Sequence, residues 1–480
     1  MDGAGENRTN LRRIPGPNAV TAVLAIASMG ASFMQTLVLP IQAELPELLG
    51  AERQATAWVV TVTLLASCIA YPIAGRLGDL YGKRRVALAL LGCLVLGSVI
   101  AALSTNLVGL LVGRALQGFV MGFIPVAIAI LRDVLPLERL NGGVALVSAT
   151  LGVGGAIGLV LSAVVAQFLD WHALFWCAAA LGAITLALVF WLVPVSVLRS
   201  PGQLDLVGAA GLSLGLGSIL VAISQGDEWG WISPLTLGLT GGGVVVLLLW
   251  GWYELRQASP LVDLRISARP AVLFTNLSAL TVGFGFFASS IALPQLLELP
   301  AGTGTGAGMG LTLLMAGLVL LPGALVGVAM TPVATWIANR WSAKILIAVG
   351  PALCAAGYVL ALVAHSEVWQ LLIVNILENV GIGLSFAGMP MIIMRSVPST
   401  ETASANSINS LGRSLGTTSA SAVIAVILSA HSVKLGSAEL PTIDGFLLAF
   451  VVSGIVALVS VGFALLVPAR PASERRPAVP

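Results

Sequence analysis

Long apolar runs alternate with short polar breaks along almost the whole chain, and this pattern predicts membrane-spanning helices. A bilayer core about 30 Å thick needs roughly 20 apolar residues per helical crossing. Fourteen runs fit, each bounded by charged residues or by Gly and Pro. The predicted spans are 18–40, 55–75, 86–104, 107–131, 142–168, 173–195, 205–223, 233–253, 270–296, 308–335, 345–364, 368–394, 404–430 and 444–467. We therefore predict an all-α integral membrane protein.

The composition supports this fold class and excludes several function classes. Hydrophobic residues make up 58% of the 480 residues and charged residues only 9%, which is too little polar surface for several soluble domains. The net charge of +2 gives no reason to expect nucleic acid as a partner. The four cysteines fall on separate predicted spans, so free thiols are expected rather than a disulfide framework or a metal site. No phosphate-binding loop of the G-x-x-x-x-G-K-[ST] type occurs, so ATP is not the expected energy source and no cofactor is predicted.

The basic residues predict the orientation, because short loops rich in Lys and Arg stay in the cytoplasm. With the amino terminus inside, the cytoplasmic segments hold 19 of the 23 Lys and Arg residues. The outer loops then hold only Arg53 and Lys434, while Arg114 and Arg413 fall within spans. We therefore predict a multi-pass protein of the cell membrane with cytoplasmic tails at residues 1–17 and 468–480.

An internal repeat divides the chain into two similar parts. The stretch "PIAGRLGDLYGKR" (72–84) aligns with "PVATWIANRWSAK" (332–344) at an offset of 260 residues, which pairs Asp79 with Asn339. The stretch "LLVGRALQGFVMG" (110–122) aligns with "LLIVNILENVGIG" (371–383) at an offset of 261. The repeat joins spans 2–4 to spans 10–12, eight positions apart, so two spans are inserted between two bundles of six.

The predicted domains follow from this repeat. They are an amino-terminal six-helix bundle at 18–198, two linker helices with a cytoplasmic loop at 199–269, and a carboxy-terminal six-helix bundle at 270–467.

The turn between spans 2 and 3 holds an unusual concentration of charge. Its glycines are expected to allow a tight reversal and a close approach of backbones. Asp79, the one acid among four bases, is expected to cap or face the amino terminus of a neighbouring helix. The alternative is that the turn only anchors the topology. The candidate gating residues are Gly75, Arg76, Gly78, Asp79, Gly82, Lys83, Arg84 and Arg85.

The stretches "GRLGDLYGKRR" and "GRALQG", together with fourteen spans, resemble the fourteen-span drug:proton antiporter family of the major facilitator superfamily. The resemblance implies two six-helix bundles that alternate access, with Asp79 and Arg76 in a gating loop and Arg114 in proton handling. The sequence departs from the family pattern in the first span, where Ala31 stands in place of a common proton-binding aspartate. Span 5 has Ala156 where the family usually has a proline.

Glu378 is the one acid placed deep in a predicted span; the other twenty of the 21 acids map to loops or span ends. A charge buried in a membrane costs several kcal/mol, so such a residue is a functional candidate. We interpret Glu378 as a proton carrier, with a permanently hydrogen-bonded packing residue as the alternative. Arg114 is its candidate partner, and the two are expected to approach a central cavity from opposite bundles. Arg413 is interpreted as a packing or snorkelling residue.

The substrate wall is expected on spans that carry weakly polar and aromatic side chains, which suit large lipophilic compounds. Its candidate residues are Ser32, Met34, Gln35, Thr36, Gln117, Asn276, Phe284, Asn375 and Asn379. The sequence thus predicts a monomeric multidrug efflux antiporter, with antibiotic resistance as an expected consequence and the proton gradient as energy source. The alternatives are an exporter of one native metabolite or lipid, and a transport-inactive sensor or scaffold.

Overall fold

Among the residues that the structure describes, fourteen helical stretches are long and apolar enough to cross a membrane, which confirms the predicted number. The structure is a computed structural model that describes residues 16–38, 41–42, 44–195, 198–302, 305–435 and 438–468. The predicted tails lie outside the described residues except for Gly16, Pro17 and Pro468.

Six spans form the amino-terminal group. Its helices are α1 (Pro17–Thr36), the short α2 (Leu45–Leu49), α3 (Arg53–Tyr81), α4 (Lys83–Ala102), α5 (Leu107–Phe119), α6 (Phe123–Val134), α7 (Leu137–Phe168) and α8 (His172–Leu192). Helices α5 and α6 form one span that a 3₁₀ turn at Val120–Gly122 interrupts. Pro125 lies just beyond this turn, and its missing N–H removes a helical hydrogen bond there.

The linker contributes two spans, α9 (Leu206–Trp229) and α10 (Pro234–Glu254), and the short helix α11 (Leu264–Ser267). Helix α9 packs against α3, where the hydroxyl groups of Thr61 and Ser224 lie 2.6 Å apart. Helix α10 packs on α9 and leaves large apolar side chains such as Leu248 and Trp252 exposed. Such an apolar surface is suited to lipid.

The carboxy-terminal group holds the other six spans. Its elements are α12 (Pro270–Glu298), α13 (Leu313–Ala329), α14 (Thr331–Arg340), α15 (Ala343–Val363), α16 (Val368–Ser396), α17 (Thr402–Ala430), β1 (Ser432–Leu435), β2 (Ala438–Pro441) and α18 (Ile443–Leu466). Helices α13 and α14 form one span broken at Met330, because Pro332 cannot donate a backbone hydrogen bond. Strands β1 and β2 pair in an antiparallel hairpin, which the sequence analysis does not predict.

The ends of α3, α6, α14 and α16 and the starts of α4, α7, α15 and α17 lie on one side of the molecule, called here the basic face. The two six-span groups meet mainly where α3 packs on α17 and α7 on α13, and α7 also contacts α14 and α16 while α6 contacts α17. Glycines allow helices of the same group to pack closely. For example, a Cβ atom at Gly118 would lie 2.6 Å from the Thr63 carbonyl oxygen, and one at Gly154 would lie 2.9 Å from the Ser32 Cβ atom.

Candidate functional site

The charged stretch between spans 2 and 3 is mostly helix, so the predicted loop is wrong in extent. Helix α3 continues to Tyr81, α4 begins at Lys83, and Gly82 alone makes the reversal with a φ of 107°. Only glycine adopts such a backbone at low cost. The hydropathy pattern ends the span at residue 75, because it registers apolar side chains and not the helical hydrogen bonds that continue beyond them.

Gly75 supplies the close helix approach rather than the reversal. A Cβ atom there would lie 2.7 Å from the Ser407 Cβ atom and 2.8 Å from the Ala403 carbonyl oxygen, both on α17. Gly78 also faces Ala403, at an ordinary contact distance of 3.5 Å. The two glycines therefore let α3 of one group pack tightly against α17 of the other.

Asp79 joins the two groups at this crossing. Its carboxylate accepts hydrogen bonds from the backbone N–H of Ala403 (3.2 Å), the backbone N–H of Ser404 (2.8 Å) and the Ser404 hydroxyl (2.7 Å). The side chain is fully buried. Free N–H groups and the helix dipole favour an anion at a helix amino terminus. The expectation that Asp79 faces such a terminus is confirmed.

Arg132, which the sequence analysis does not single out, adds a second link on the basic face. Its guanidinium donates to the Thr402 hydroxyl (2.6 Å) and to the carbonyl oxygens of Val397 (3.2 Å) and Pro398 (3.3 Å). It thus binds the connection between α16 and α17. Its only signal in the sequence is its place at the basic end of span 4.

Ser200, in the connection from α8 to α9, adds a third link. Its backbone N–H donates to the Asp79 carbonyl oxygen (2.8 Å) and its hydroxyl donates to the Thr400 carbonyl oxygen (2.7 Å). Asp79, Arg132 and Ser200, with their partners, are called the α17 latch.

The other gating candidates do not share one role. Lys83 and Asp133 form a buried ion pair of 2.7 Å within the amino-terminal group. Arg84 donates to the Phe190 carbonyl oxygen in the same group, and Arg85 is exposed. The buried Arg76 lies near Gly202 of the linker. Among the eight candidates, the contact with the carboxy-terminal group is made by the α3 residues Gly75, Gly78 and Asp79.

Arg114 is buried inside the amino-terminal group. Its guanidinium donates to the carbonyl oxygens of Met34 (3.1 Å) and Val59 (3.4 Å) and to the side-chain oxygen of Gln117 (2.9 Å). Gln117 in turn donates to the Ser98 hydroxyl at 2.8 Å. Arg114 therefore ties α5 to α1 and α3.

Glu378 is fully buried inside the carboxy-terminal group. One carboxyl oxygen accepts a hydrogen bond from the Ser289 hydroxyl of α12, and the other has no partner among the described residues. Its stem lies against α15, where a Cβ atom at Gly357 would be 2.8 Å from the Glu378 Cγ atom. The structure does not bring Glu378 and Arg114 together across the centre, because each packs within its own group.

The internal repeat relates the surroundings of Glu378 to those of Gln117. The two residues align at an offset of 261, and Gly357 aligns with Gly97 at an offset of 260. A Cβ atom at Gly97 would lie 2.9 Å from the Gln117 backbone nitrogen. Equivalent niches therefore hold a neutral amide in one group and an acid in the other.

Several predicted cavity residues prove to be contacts between helices. Ser32 donates to the Leu151 carbonyl oxygen (2.5 Å) and Thr36 to that of Gly155 (2.8 Å), so both fasten α1 to α7. Met34 is buried and Gln35 is partly exposed. A small hydroxyl on an apolar helix suits either a cavity or a neighbouring carbonyl, and here the carbonyl is the partner. Ala31 is buried in α1. This position therefore offers no carboxyl group where the resemblance implies an aspartate.

The remaining predicted cavity residues lie in the carboxy-terminal group. The Asn276 side-chain oxygen accepts from Asn409 of α17 at 3.1 Å, and Phe284 is buried on α12. Asn375 and Asn379 face α13 at Gly323 and Gly327, respectively. These side chains are also packed between helices, so the structure does not gather the predicted set around one cavity.

In the described part of the chain, the clefts at contacts between helices include a larger and a smaller one. The larger, of about 670 Å³, lies between α7 and α14 near the basic face and is lined by residues that include Leu146, Pro332 and Trp336. The smaller, of about 150 Å³, lies between α1, α7 and α8 and includes Met29, Phe33 and Cys177. The larger cleft lies between helices of opposite groups.

Known proteins resemble this chain along most of its length. A family model described as Major Facilitator Superfamily matches residues 24–421 and 275–480. The protein named "Uncharacterized MFS-type transporter YhcA" of Bacillus subtilis (strain 168) is 23% identical over 335 residues, which cover 70% of this chain and 62% of that protein. The match thus spans about three fifths of the length of this relative.

Two further comparisons extend this result. "Multidrug resistance protein Stp" of Mycobacterium tuberculosis (strain CDC 1551 / Oshkosh) is 24% identical over 376 residues, 78% of this chain and 68% of that protein. The crystal structure of the human organic anion transporter MFSD10 (TETRAN) superposes with a TM-score of 0.68 at 16% identity, covering 94% of this chain and 100% of that one. At this identity the likeness concerns the fold alone.

Proposed function

The chain belongs to the Major Facilitator Superfamily and is a multi-pass secondary transporter, and we propose that it exports lipophilic compounds, including drugs, in exchange for protons. The fourteen spans, the "GRLGDLYGKRR" and "GRALQG" stretches and the name of the Stp relative support placing it with the fourteen-span drug:proton antiporters. No cofactor is needed, because the proton gradient supplies the energy.

Alternating access requires a contact between the two six-span groups that forms in one state and opens in another. The α17 latch supports this role, because Asp79, Arg132 and Ser200 all contact the connection from α16 to α17 or the start of α17. The positive-inside rule places this face in the cytoplasm. We therefore assign the described conformation to a state closed on the cytoplasmic side.

The surroundings of Glu378 are the single observation on which the proposed proton coupling rests. It is fully buried, has one hydroxyl donor, and leaves one carboxyl oxygen without a partner among the described residues. A carboxylate in such a place is costly, and a bound proton removes the cost. A movement of α12 or α15 that admits water would allow the proton to leave. Glu378 therefore loads a proton from one side of the membrane and releases it to the other.

Everted membrane vesicles test the proposed function. Their cytoplasmic face points outward, so an exporter accumulates a lipophilic dye when the lumen is made acidic. We expect dye uptake that rises with the imposed pH gradient and collapses when an ionophore removes it. If only one compound of a broad panel is taken up, the result would favour the alternative, an exporter of one native metabolite or lipid. Absence of any gradient-dependent uptake would contradict proton-coupled export.

A further inference from the structure

Arg413 lies between the two six-span groups rather than inside one of them. Its Cζ atom lies 4.7 Å from the centroid of the Phe386 ring on α16, and it faces Tyr71 of α3 within hydrogen-bonding reach. The next residue, Ser414, has its hydroxyl 3.3 Å from the Cys68 sulfur, also on α3. The side chain therefore sits at the crossing of helices from both groups, which is not the position of a snorkelling residue.

The three side chains of this cluster lie at one depth. At a rise of about 1.5 Å per residue, Arg413 is about 16 Å along α17 from its start, and Tyr71 and Phe386 are each about 15 Å from the basic ends of α3 and α16. Each of these helices has 29 residues and is about 43 Å long, longer than a hydrocarbon core of about 30 Å, so this level lies inside the core but nearer to the basic face. A cation at such a depth needs a specific reason.

The guanidinium of Arg413 is less satisfied than that of Arg114. A guanidinium has five N–H donors. Arg114 uses its donors on two carbonyl oxygens and an amide oxygen, whereas Arg413 donates to the Ser410 hydroxyl at 3.3 Å and otherwise faces Tyr71 and the Phe386 ring. Among the described residues, no Asp or Glu forms an ion pair with it.

The surface around Arg413 is aromatic. Its side chain is of intermediate exposure and lies between α3 of one group and α16 of the other. Phe286 of α12 extends the aromatic surface, with its ring centroid 5.9 Å from that of Phe386. A guanidinium that makes few hydrogen bonds and lies beside aromatic rings suits a molecule with an oxyanion at one end and an apolar body at the other.

We propose that Arg413 binds the anionic group of the transported compound, so that the substrate class is lipophilic anions such as carboxylates and sulfonates. This inference rests on the proposed function, since it names the class of compound that the exporter takes. The Phe286 and Phe386 rings contact the apolar part of the compound, and Tyr71 lies beside the oxyanion. Closure of α3 against α17 then brings both groups of helices onto the compound.

Three pyrene compounds with the same apolar body separate charge from lipophilicity: 4-(1-pyrenyl)butyric acid, 4-(1-pyrenyl)butanol and the corresponding butyltrimethylammonium. Binding to the full chain in nanodiscs is measured by energy transfer from tryptophan to pyrene, with empty nanodiscs as blank. We expect the wild type to bind the carboxylate at least about tenfold more tightly than the ammonium compound. Equal binding, or a preference for the cation, overturns the inference.

Variants assign the preference to Arg413. Arg413→Gln is expected to abolish the preference while leaving butanol binding unchanged, and Arg413→Lys to retain part of it, because lysine keeps the charge without the planar fork. Arg256→Gln is the matched control, because Arg256 also stacks on an aromatic ring, Trp252, but is exposed. If Arg413→Gln does not fold, the lysine variant decides: an undiminished carboxylate preference in it overturns the role of the guanidinium fork.

Transport in proteoliposomes under a pH gradient keeps this inference distinct from the proposed function. A carboxylate preference in binding without gradient-dependent transport supports the anion site and contradicts proton-coupled export. Gradient-dependent transport of all three compounds, unchanged in Arg413→Gln, supports export and overturns the anion site.

Discussion

The Asn339 side-chain oxygen lies 2.6 Å from the Asn141 side-chain nitrogen, and this contact across the basic face is the repeat-related counterpart of the bond between Asp79 and Ser404. Asp79 and Asn339 align at the offset of 260 residues, and each contacts the first turns of a long helix in the opposite group, α17 or α7. One contact is anionic and binds backbone N–H groups, while the other joins two neutral amides. The repeat thus gives two contacts of different chemistry across the basic face, in addition to those of Arg132 and Ser200.

Asp79→Asn is expected to weaken the α17 latch. The variant keeps one oxygen acceptor but loses the charge that faces the helix amino terminus, so the closed state should lose about 1–2 kcal/mol. Ser407→Cys, in a background free of the four native cysteines, reports the separation of α3 from α17. Ser407 is buried against Gly75, so a thiol there reacts only when the two helices move apart. Maleimide should label it about 5 to 30 times faster in Asp79→Asn.

Ser404→Ala is the control for this experiment. It removes one hydroxyl donor and keeps both backbone N–H bonds to Asp79, so the labelling rate should rise much less. Labelling of Asp79→Asn at the wild-type rate would show that Asp79 does not hold the face closed.

The pair Asn141→Cys and Asn339→Cys is expected to trap the closed basic face. Their side chains touch in the described conformation, so a short bis-methanethiosulfonate reagent should link them in a cysteine-free background. Export must open this face, so linking should stop dye efflux, and a thiol reductant should restore it. Each single cysteine variant treated in the same way should transport normally. Full transport by the linked protein would show that this face does not open during the cycle.

Gly357→Ala is expected to destabilise the niche of Glu378. The new methyl group would lie 2.8 Å from the Glu378 Cγ atom, and overpacking of this kind costs about 1–3 kcal/mol. The melting temperature in detergent should fall, and gradient-dependent uptake should fall with it. Gly92→Ala is the matched control, because a Cβ atom at Gly92 meets nothing within 4 Å. Equal stability and transport of the two variants would contradict the tight packing around Glu378.

Arg114→Lys should destabilise the amino-terminal group although it preserves the charge. A lysine cannot reach the Met34 and Val59 carbonyl oxygens and Gln117 with one planar fork, so we expect a loss of about 1–3 kcal/mol. The melting temperature measures this loss, with Arg395→Lys as control because Arg395 is exposed. An unchanged melting temperature would mean that the hydrogen bonds of Arg114 contribute little to stability.

The sequence was sufficient to predict the spans and the kind of partner that Asp79 has, but not which helix provides it. Apolar runs of bilayer length are local signals, so all fourteen spans could be counted. Asp79 and Ser404 are 325 residues apart, and no local pattern reports a contact of that separation. Arg132 was missed for the same reason, since its partners lie on the far side of the repeat.

The substrate residues were harder to predict, because a small rotation of a helix decides whether a side chain packs against a neighbouring helix or faces a cavity. Thr36 and Arg413 are both polar residues in apolar spans, yet Thr36 donates to a carbonyl oxygen of α7 while Arg413 stacks on the Phe386 ring of α16. A periodic pattern identifies the face on which a residue lies. Which helix covers that face depends on the packing of the complete fold.

Proton movement during transport tests the central claim most directly. Proteoliposomes that contain pyranine and either the wild type or Glu378→Gln receive a transported dye, and the internal pH and dye binding are followed together, with the exposed Glu138→Gln as control. The account predicts dye-driven proton movement for the wild type and the control, and retained dye binding without proton movement for Glu378→Gln. Proton movement by Glu378→Gln at the wild-type rate would contradict Glu378 as the proton carrier.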